Sequence, residues 1–205
     1  MNKTIKAALA GLVTSTAMLS AAYAEDIKVG ILLPYSGVYA ALGQDIDDAF
    51  ALGLETFGAD SGATFEIVRE DTEVKPPVGL AKTKKLILQD EVDVMVGVVS
   101  SGVLGAIRDT VDGAGVPLIV ANAGNDEATG EACSPFITRI SFSNSQINRP
   151  MGQWMFDRGV KKVFTIAPDY AAGRQMIDAF TTAFTAAGGE VVGQEWPAFQ
   201  KTQDF

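Results

Sequence analysis

Apolar residues along this chain follow two alternating patterns. Val94, Met95, Val96, Val98 and Val99 form a short, almost continuous apolar run, as in a strand buried on both faces. Leu104, Ile107 and Val111 then recur at helical spacing, with Arg108, Asp109 and Asp112 on the other side. The same alternation recurs throughout. Strands are predicted at residues 27–33, 63–69, 94–99, 116–121, 136–140, 160–166 and 189–196. Helices are predicted at 44–57, 76–89, after Ser101, at 146–158 and at 170–187. Strands that alternate with helices make an α/β fold with parallel sheets flanked by helices and right-handed crossovers. In such sheets ligands sit beyond the carboxyl ends of the strands, where the strand order reverses. If the first and third strands are neighbours at that point, loops 34–43 and 99–102 meet there, with residues 122–125 beside them.

The turn at Ser100, Ser101 and Gly102 carries the first candidate chemistry. A helix start leaves backbone N–H groups unpaired and slightly positive, which suits an anion. Serine adds a hydroxyl donor without filling the space, although it is also a common helix cap. The remaining candidates are weaker. Tyr35, Ser36 and Tyr39 lie in a loop, and the pattern does not say which of them turns inward. Lys82, Lys84 and Lys85 read as a solvated helix face, and Trp154 and Trp196 as packing residues.

Composition then narrows the function. The first 24 residues have a basic start (Lys3, Lys6), an apolar stretch from Ala7 to Ala22, and Ala22-Tyr23-Ala24 before Glu25. That pattern reads as a secretory leader cleaved after Ala24, so an exported product is expected. Without the leader, 14 Lys and Arg stand against 25 Asp and Glu, a net charge of −11. Nucleic acid and anionic membrane surfaces are therefore poor partners. Cys133 is the single cysteine and there is no histidine. This removes cysteine-based metal sites and every Ser-His or Cys-His nucleophile pair. No phosphate-loop, dinucleotide or nucleophile-elbow motif is present. Asp71, Asp126 and Asp169 remain as carboxylates that nothing marks as catalytic, so neither an enzyme nor a cofactor or metal site is expected.

Glu25-Asp26-Ile27-Lys28-Val29-Gly30 with Ser36-Gly37, Val96-Gly97 followed by Ser100-Ser101, and Asn122-Ala123-Gly124 resemble the type I periplasmic substrate-binding proteins. The nearest branch is the leucine/isoleucine/valine-binding type that serves ABC importers. The run 167–174 (Ala-Pro-Asp-Tyr-Ala-Ala-Gly-Arg) and Gln203-Asp204-Phe205 extend the likeness from residue 25 to the end. The resemblance implies two α/β lobes that close on a small ligand, here lobe 1 at 25–142 and the first part of lobe 2 at 143–205. It also implies a C-terminally truncated fragment, with Cys133 separated from any partner in the missing part. Ser101 would hydrogen-bond the ligand carboxylate, with Ser100 adjoining, and Asn122, Ala123 and Gly124 would grip the head group. Gly124 falls where amino-acid binders carry a threonine, and Leu42 where several carry an aromatic lid. Tyr170, and Tyr35 from the first loop, would face the ligand. The implied function is a monomeric receptor delivering a branched-chain amino acid, or an amine-free or aromatic acid, to an inner-membrane permease. A ligand-sensing ectodomain of the same fold is the alternative.

Overall fold

The computed structural model describes residues 26–201. The leader and the 203–205 stretch of the family likeness lie outside the described residues. Strands β1 (Asp26–Leu33), β2 (Thr64–Asp71), β3 (Val94–Gly97), β4 (Leu118–Val120) and β5 (Ile137–Arg139) form one parallel sheet in the order β2-β1-β3-β4-β5. Strands β6 (Lys162–Ile166) and β7 (Glu190–Glu195) pair in parallel as a second sheet. The order reverses between β1 and β3, where Val29–Leu32 run beside Val94–Gly97. The expected neighbours are therefore adjacent.

Both faces of the first sheet are covered. Leu32, Met95 and Val98 pack with Leu86 of α3 (Pro76–Leu88) and with Val103, Leu104, Ile107 and Val111 of α4 (Ser101–Ala114). Val29, Ile31, Leu33, Val96 and Val99 pack on the other side with Ile46 and Phe50 of α1 (Ala40–Gly53). Continuous apolar runs in β1 and β3 follow directly from burial on both sides. Helices α5 (Asn144–Asp157) and α6 (Ala171–Ala186) pack together in the second unit around Phe184, with Phe156 edge-on and Phe180 stacked against it.

Three expectations need correction. Helix α1 starts at Ala40, so Leu42 and Gly43 are helical, and the helix runs through a π-turn (Leu54–Gly58) into the short α2 (Ala59–Ser61). The chain can turn this tightly because Gly43 lies against the Pro34 carbonyl, where a Cβ would stand 2.0 Å from the oxygen. Lys82 and Lys85 are not merely solvated: they clamp the nearly buried Glu70 at 2.6 and 2.8 Å. The clamp holds the Glu70 carboxyl below the usual glutamate range, since burial pushes it up but the hydrogen bonds from both lysines outweigh that. Trp154 does not pack inside; half its surface faces solvent beneath the Arg158 guanidinium, on the same exposed face as Ile147 and Met151.

Candidate functional site

A cavity of about 170 Å³ opens at the β1/β3 crossover, between the two sheets. One wall comes from the first unit. Val99 and Ser101 belong to the turn into α4, Asn122 and Gly124 to the loop after β4, and Tyr39 and Leu42 to the start of α1. The other wall is Tyr170, Ala172 and Met176, at the beginning of α6, with Phe142 and Asn144 from the segment entering α5. Two wider concavities of about 400 and 410 Å³ lie on the outer surface around Asp126. They hold none of the residues at the strand crossover.

The serine wall is set by backbone geometry. Ser100 is the extended N-cap of α4 and Ser101 its first residue, both buried. Gly97 ends β3 at a φ of 145°, and a side chain there would stand 2.0 Å from the Leu32 carbonyl oxygen. Only glycine lets β3 turn off this close to β1. The loop after β4 is fixed in turn: the Ala121 N–H donates to Gly97 O at 2.7 Å and the Ala123 N–H to Val98 O at 2.9 Å. Asn125 is buried, donating from Nδ2 to Ser101 O and accepting the Ala128 N–H on Oδ1.

Asn144 links the walls. Its side-chain amide donates to Ser101 Oγ at 3.1 Å and to Gln175 Oε1 of α6 at 2.7 Å, and its N–H donates to Gly124 O at 2.8 Å. The Asp126 N–H reaches the same Gln175 oxygen at 3.1 Å. A methyl group on Gly124 would stand 2.4 Å from Asn144 Oδ1 and 2.9 Å from the Phe142 ring, so a side chain here would have to displace the Asn144 amide or the ring. At the other end the Tyr39 and Tyr170 hydroxyls meet at 3.0 Å. The Tyr170 ring stacks on Phe199 at 4.1 Å, and Tyr39 tilts against the same ring at 6.1 Å. Burial, and then the hydrogen bond to Tyr39, pushes the Tyr170 phenol above its ordinary value. The group stays neutral and remains a hydrogen-bonding hydroxyl.

Among the sequence candidates, Ser101, Asn122, Gly124, Leu42 and Tyr170 come together around the cavity. Three others do not line it. Ser100 is buried behind the turn, and Ala123 is wholly buried with its N–H used by Val98. Tyr35 turns to the opposite side, against Asp47 and Arg69, where burial and then the Asp47 charge raise its phenol. Tyr39 is the loop tyrosine that turns inward. The carboxylates also have structural partners. Asp71 accepts the Tyr35 and Glu73 N–H groups, Asp126 that of Ser145, and Asp169 pairs with Arg174 at 2.8 Å. Phe142, Asn144 and Gln175 went unread. The signal present was the capping pair Ser143 and Gln146, which the structure forms as a reciprocal box; it fixes the helix start and thereby aims Asn144 at Ser101.

A family model for the periplasmic binding proteins matches residues 26–205. The Leu/Ile/Val-binding protein homolog 6 of Brucella abortus (strain 2308) is 33% identical over 193 residues, covering 91% of this chain and 48% of the relative. The chain thus spans about half the length of the curated relatives it matches. A solute-binding protein of an ABC transporter from R. palustris, solved in complex with benzoate, is 41% identical with a TM-score of 0.82, covering 87% of this chain and 50% of that one. Another from Rhodopseudomonas palustris BisB5, in complex with 3,4-dihydroxybenzoic acid, is 34% identical with a TM-score of 0.78, covering 85% and 48%.

Proposed function

Since the chain belongs to the periplasmic binding protein family of ABC transporters, we propose that it captures a small aromatic carboxylate in the 170 Å³ cavity and delivers it to an inner-membrane permease. The observation that carries this reading is the make-up of the lining. Hydroxyl and amide groups (Ser101, Asn122, Asn144) gather at one end beside the α4 start, and aromatic and aliphatic side chains form the rest. No Asp or Glu lines the cavity among the described residues, so an ammonium group would need its counter-charge from outside them. The volume is close to the roughly 150 Å³ that holds one benzene ring in an apolar cavity. The 41%-identical neighbour that holds benzoate supports the same class.

The carboxylate would accept from the Ser101 hydroxyl and the free N–H groups of the first turn of α4, as an anion does at a helix start. Closure of the Tyr170 wall over the ring follows if the closed form binds the ligand better than the open one. A branched-chain amino acid is the second reading, favoured by the relatives named for Leu, Ile and Val. A thermal-shift panel separates the two, with benzoate and hydroxybenzoates set beside leucine and valine, because a ligand that binds only the folded state raises the melting temperature by mass action. Shifts with the aromatic acids alone are expected. Shifts with the amino acids alone would overturn the aromatic reading, and silence with both sets would overturn the receptor reading. In the same protein, Ser101→Ala should lose about 1–3 kcal/mol of affinity, the scale of a lost charge-assisted bond.

A further inference from the structure

Ser101 is useful to a carboxylate only as a donor, and a hydroxyl can equally accept. We propose that Asn144 and Gln175 are positioning residues that force the Ser101 hydroxyl to donate into the cavity, making the site select an acceptor-only head group over a carboxamide. This inference rests on the carboxylate reading above.

The wiring can be followed atom by atom. The Asp126 N–H is a backbone donor with no alternative role, so the Gln175 atom facing it at 3.1 Å is the side-chain oxygen. That same oxygen is 2.7 Å from the Asn144 amide, so the Asn144 atom facing it is the nitrogen. The second hydrogen of that NH₂ group points to Ser101 Oγ at 3.1 Å. Ser101 Oγ is therefore an acceptor on this side, and its own proton must be donated elsewhere. Among the described residues it has no protein acceptor, and it lines the cavity. A fixed backbone N–H thus sets the direction of a hydroxyl three groups away. Asn144 is 1% exposed and Ser101 3%, so water has little room to break the bond between these two, while Gln175 is half-buried.

Gln175 stands on α6, on the second wall, whereas Ser101 stands on the first. The hydroxyl is therefore aimed only while the walls are together. When the walls part, the Asn144 amide leaves with Gln175 and the Ser101 hydroxyl turns freely. With Gln175 replaced by an apolar side chain, the Asn144 amide can turn its oxygen to Ser101, which then donates to Asn144 instead of to the ligand. Polarity of the head group and closure of the walls become one event.

The test is calorimetry on the protein expressed from its complete reading frame, with benzoate and benzamide as probes, or leucine and leucinamide if the amino acids are the ligands that bind. The unsubstituted protein should prefer the carboxylate. Asn144→Asp, tolerated at a helix start, supplies an acceptor that captures the Ser101 proton. It should cut the preference for carboxylate over carboxamide by at least tenfold, mainly through weaker carboxylate binding. Gln175→Leu should cut the preference by a similar factor, and Gln175→Glu, which keeps the acceptor, should hold it within about threefold. A purely structural role would weaken both probes alike in Gln175→Leu, which adds no charge that could itself repel the carboxylate. Retention of the preference in Asn144→Asp and Gln175→Leu overturns the wiring while leaving the carboxylate reading intact. Failure of the unsubstituted protein to bind either carboxylate overturns that reading instead.

Discussion

The two sheets are built from similar apolar runs but are covered differently. In β1 the successive residues Ile31, Leu32 and Leu33 are all wholly buried, so both faces of the strand are covered. In β6 burial alternates: Val163 and Thr165 are buried, while Phe164 and Ile166 are 57% and 59% exposed, as is Val192 of β7 at 53%. The serine wall of the cavity is therefore part of a doubly covered sheet. The tyrosine wall stands on a helix pair over a two-stranded sheet. Its ties to the first unit include the Tyr39–Tyr170 bond and the Asn144, Gln175 and Asp126 contacts. The chain spans about half the length of its curated relatives, so what distinguishes the walls here is their set of polar ties and not the exposed face of β6 and β7. The fixed wall pre-orients donors, and the wall with few polar ties can swing at modest cost.

The sharpest way to break the comparison is to damage each unit's interior and ask which functions go with it. Met95, wholly buried at the centre of the first sheet, should cost about 2–5 kcal/mol of unfolding free energy when cut to alanine, the usual scale for a core truncation. Gly152 of α5 touches the α6 backbone so closely that an added Cβ would stand 2.5 Å from Phe184 N and 2.6 Å from Phe180 O. Gly152→Ala should cost about 1–3 kcal/mol by overpacking. It should also misplace α6, so that ligand affinity falls with it. Urea titrations read the first quantity and calorimetry the second. Equal losses of affinity in the two variants, once the remaining protein is folded, would mean that the walls are not distinct.

Next in size is the lysine clamp at the outer edge of the first unit. Glu70→Gln should lose roughly 1–2 kcal/mol, between the worth of an exposed ion pair and that of a hydrogen bond to a charged group. The sign with pH follows from the lowered carboxyl. Its contribution is present at neutral pH, begins to fade as pH falls below the ordinary glutamate value of 4.5, and is gone below the folded-state value. Stability measured from pH 7 to pH 3 should thus fall less in Glu70→Gln than in the parent. A difference that stays constant across that range would assign the effect to packing alone.

Much of this was legible in the sequence, and the misses share a cause. The βα alternation, the β1/β3 crossover and the Ser101 turn follow from local periodicity and turn chemistry, which act over a few residues. Ser101, Asn122, Gly124 and Leu42 come together because loops at one edge of a parallel sheet must meet, whereas Tyr170 follows β6 of the other sheet and was expected there from the family resemblance alone. Tyr35 and Tyr39 are four residues apart in one loop, and only the start of α1 at Ala40 decides which of them turns toward the cavity. Asn144 and Gln175 are 31 residues apart, and Asn144 and Ser101 are 43. No periodicity encodes such a pairing. It exists because the Ser143–Gln146 box fixes one helix start and the α5–α6 packing brings the second helix beside it. The lysines on α3 were misread for the same reason, since their partner Glu70 lies on β2.

The smallest expected effect probes the tie between the walls directly. The Tyr39 and Tyr170 hydroxyls meet at 3.0 Å across the mouth of the cavity, and each ring keeps its packing on Phe199 if only the oxygen is removed. Tyr170→Phe and Tyr39→Phe should each weaken ligand binding by about 0.5–1.5 kcal/mol, the net worth of a neutral hydrogen bond. The loss should lie in faster ligand release, because the bond can form only when the walls are together. The double variant should lose no more than either single one, since both remove the same bond. Additive losses, or slower capture with release unchanged, would mean that each hydroxyl acts on the ligand separately. Tyr170 would then belong to the head-group chemistry of the serine wall, and the two walls would differ in packing but not in role.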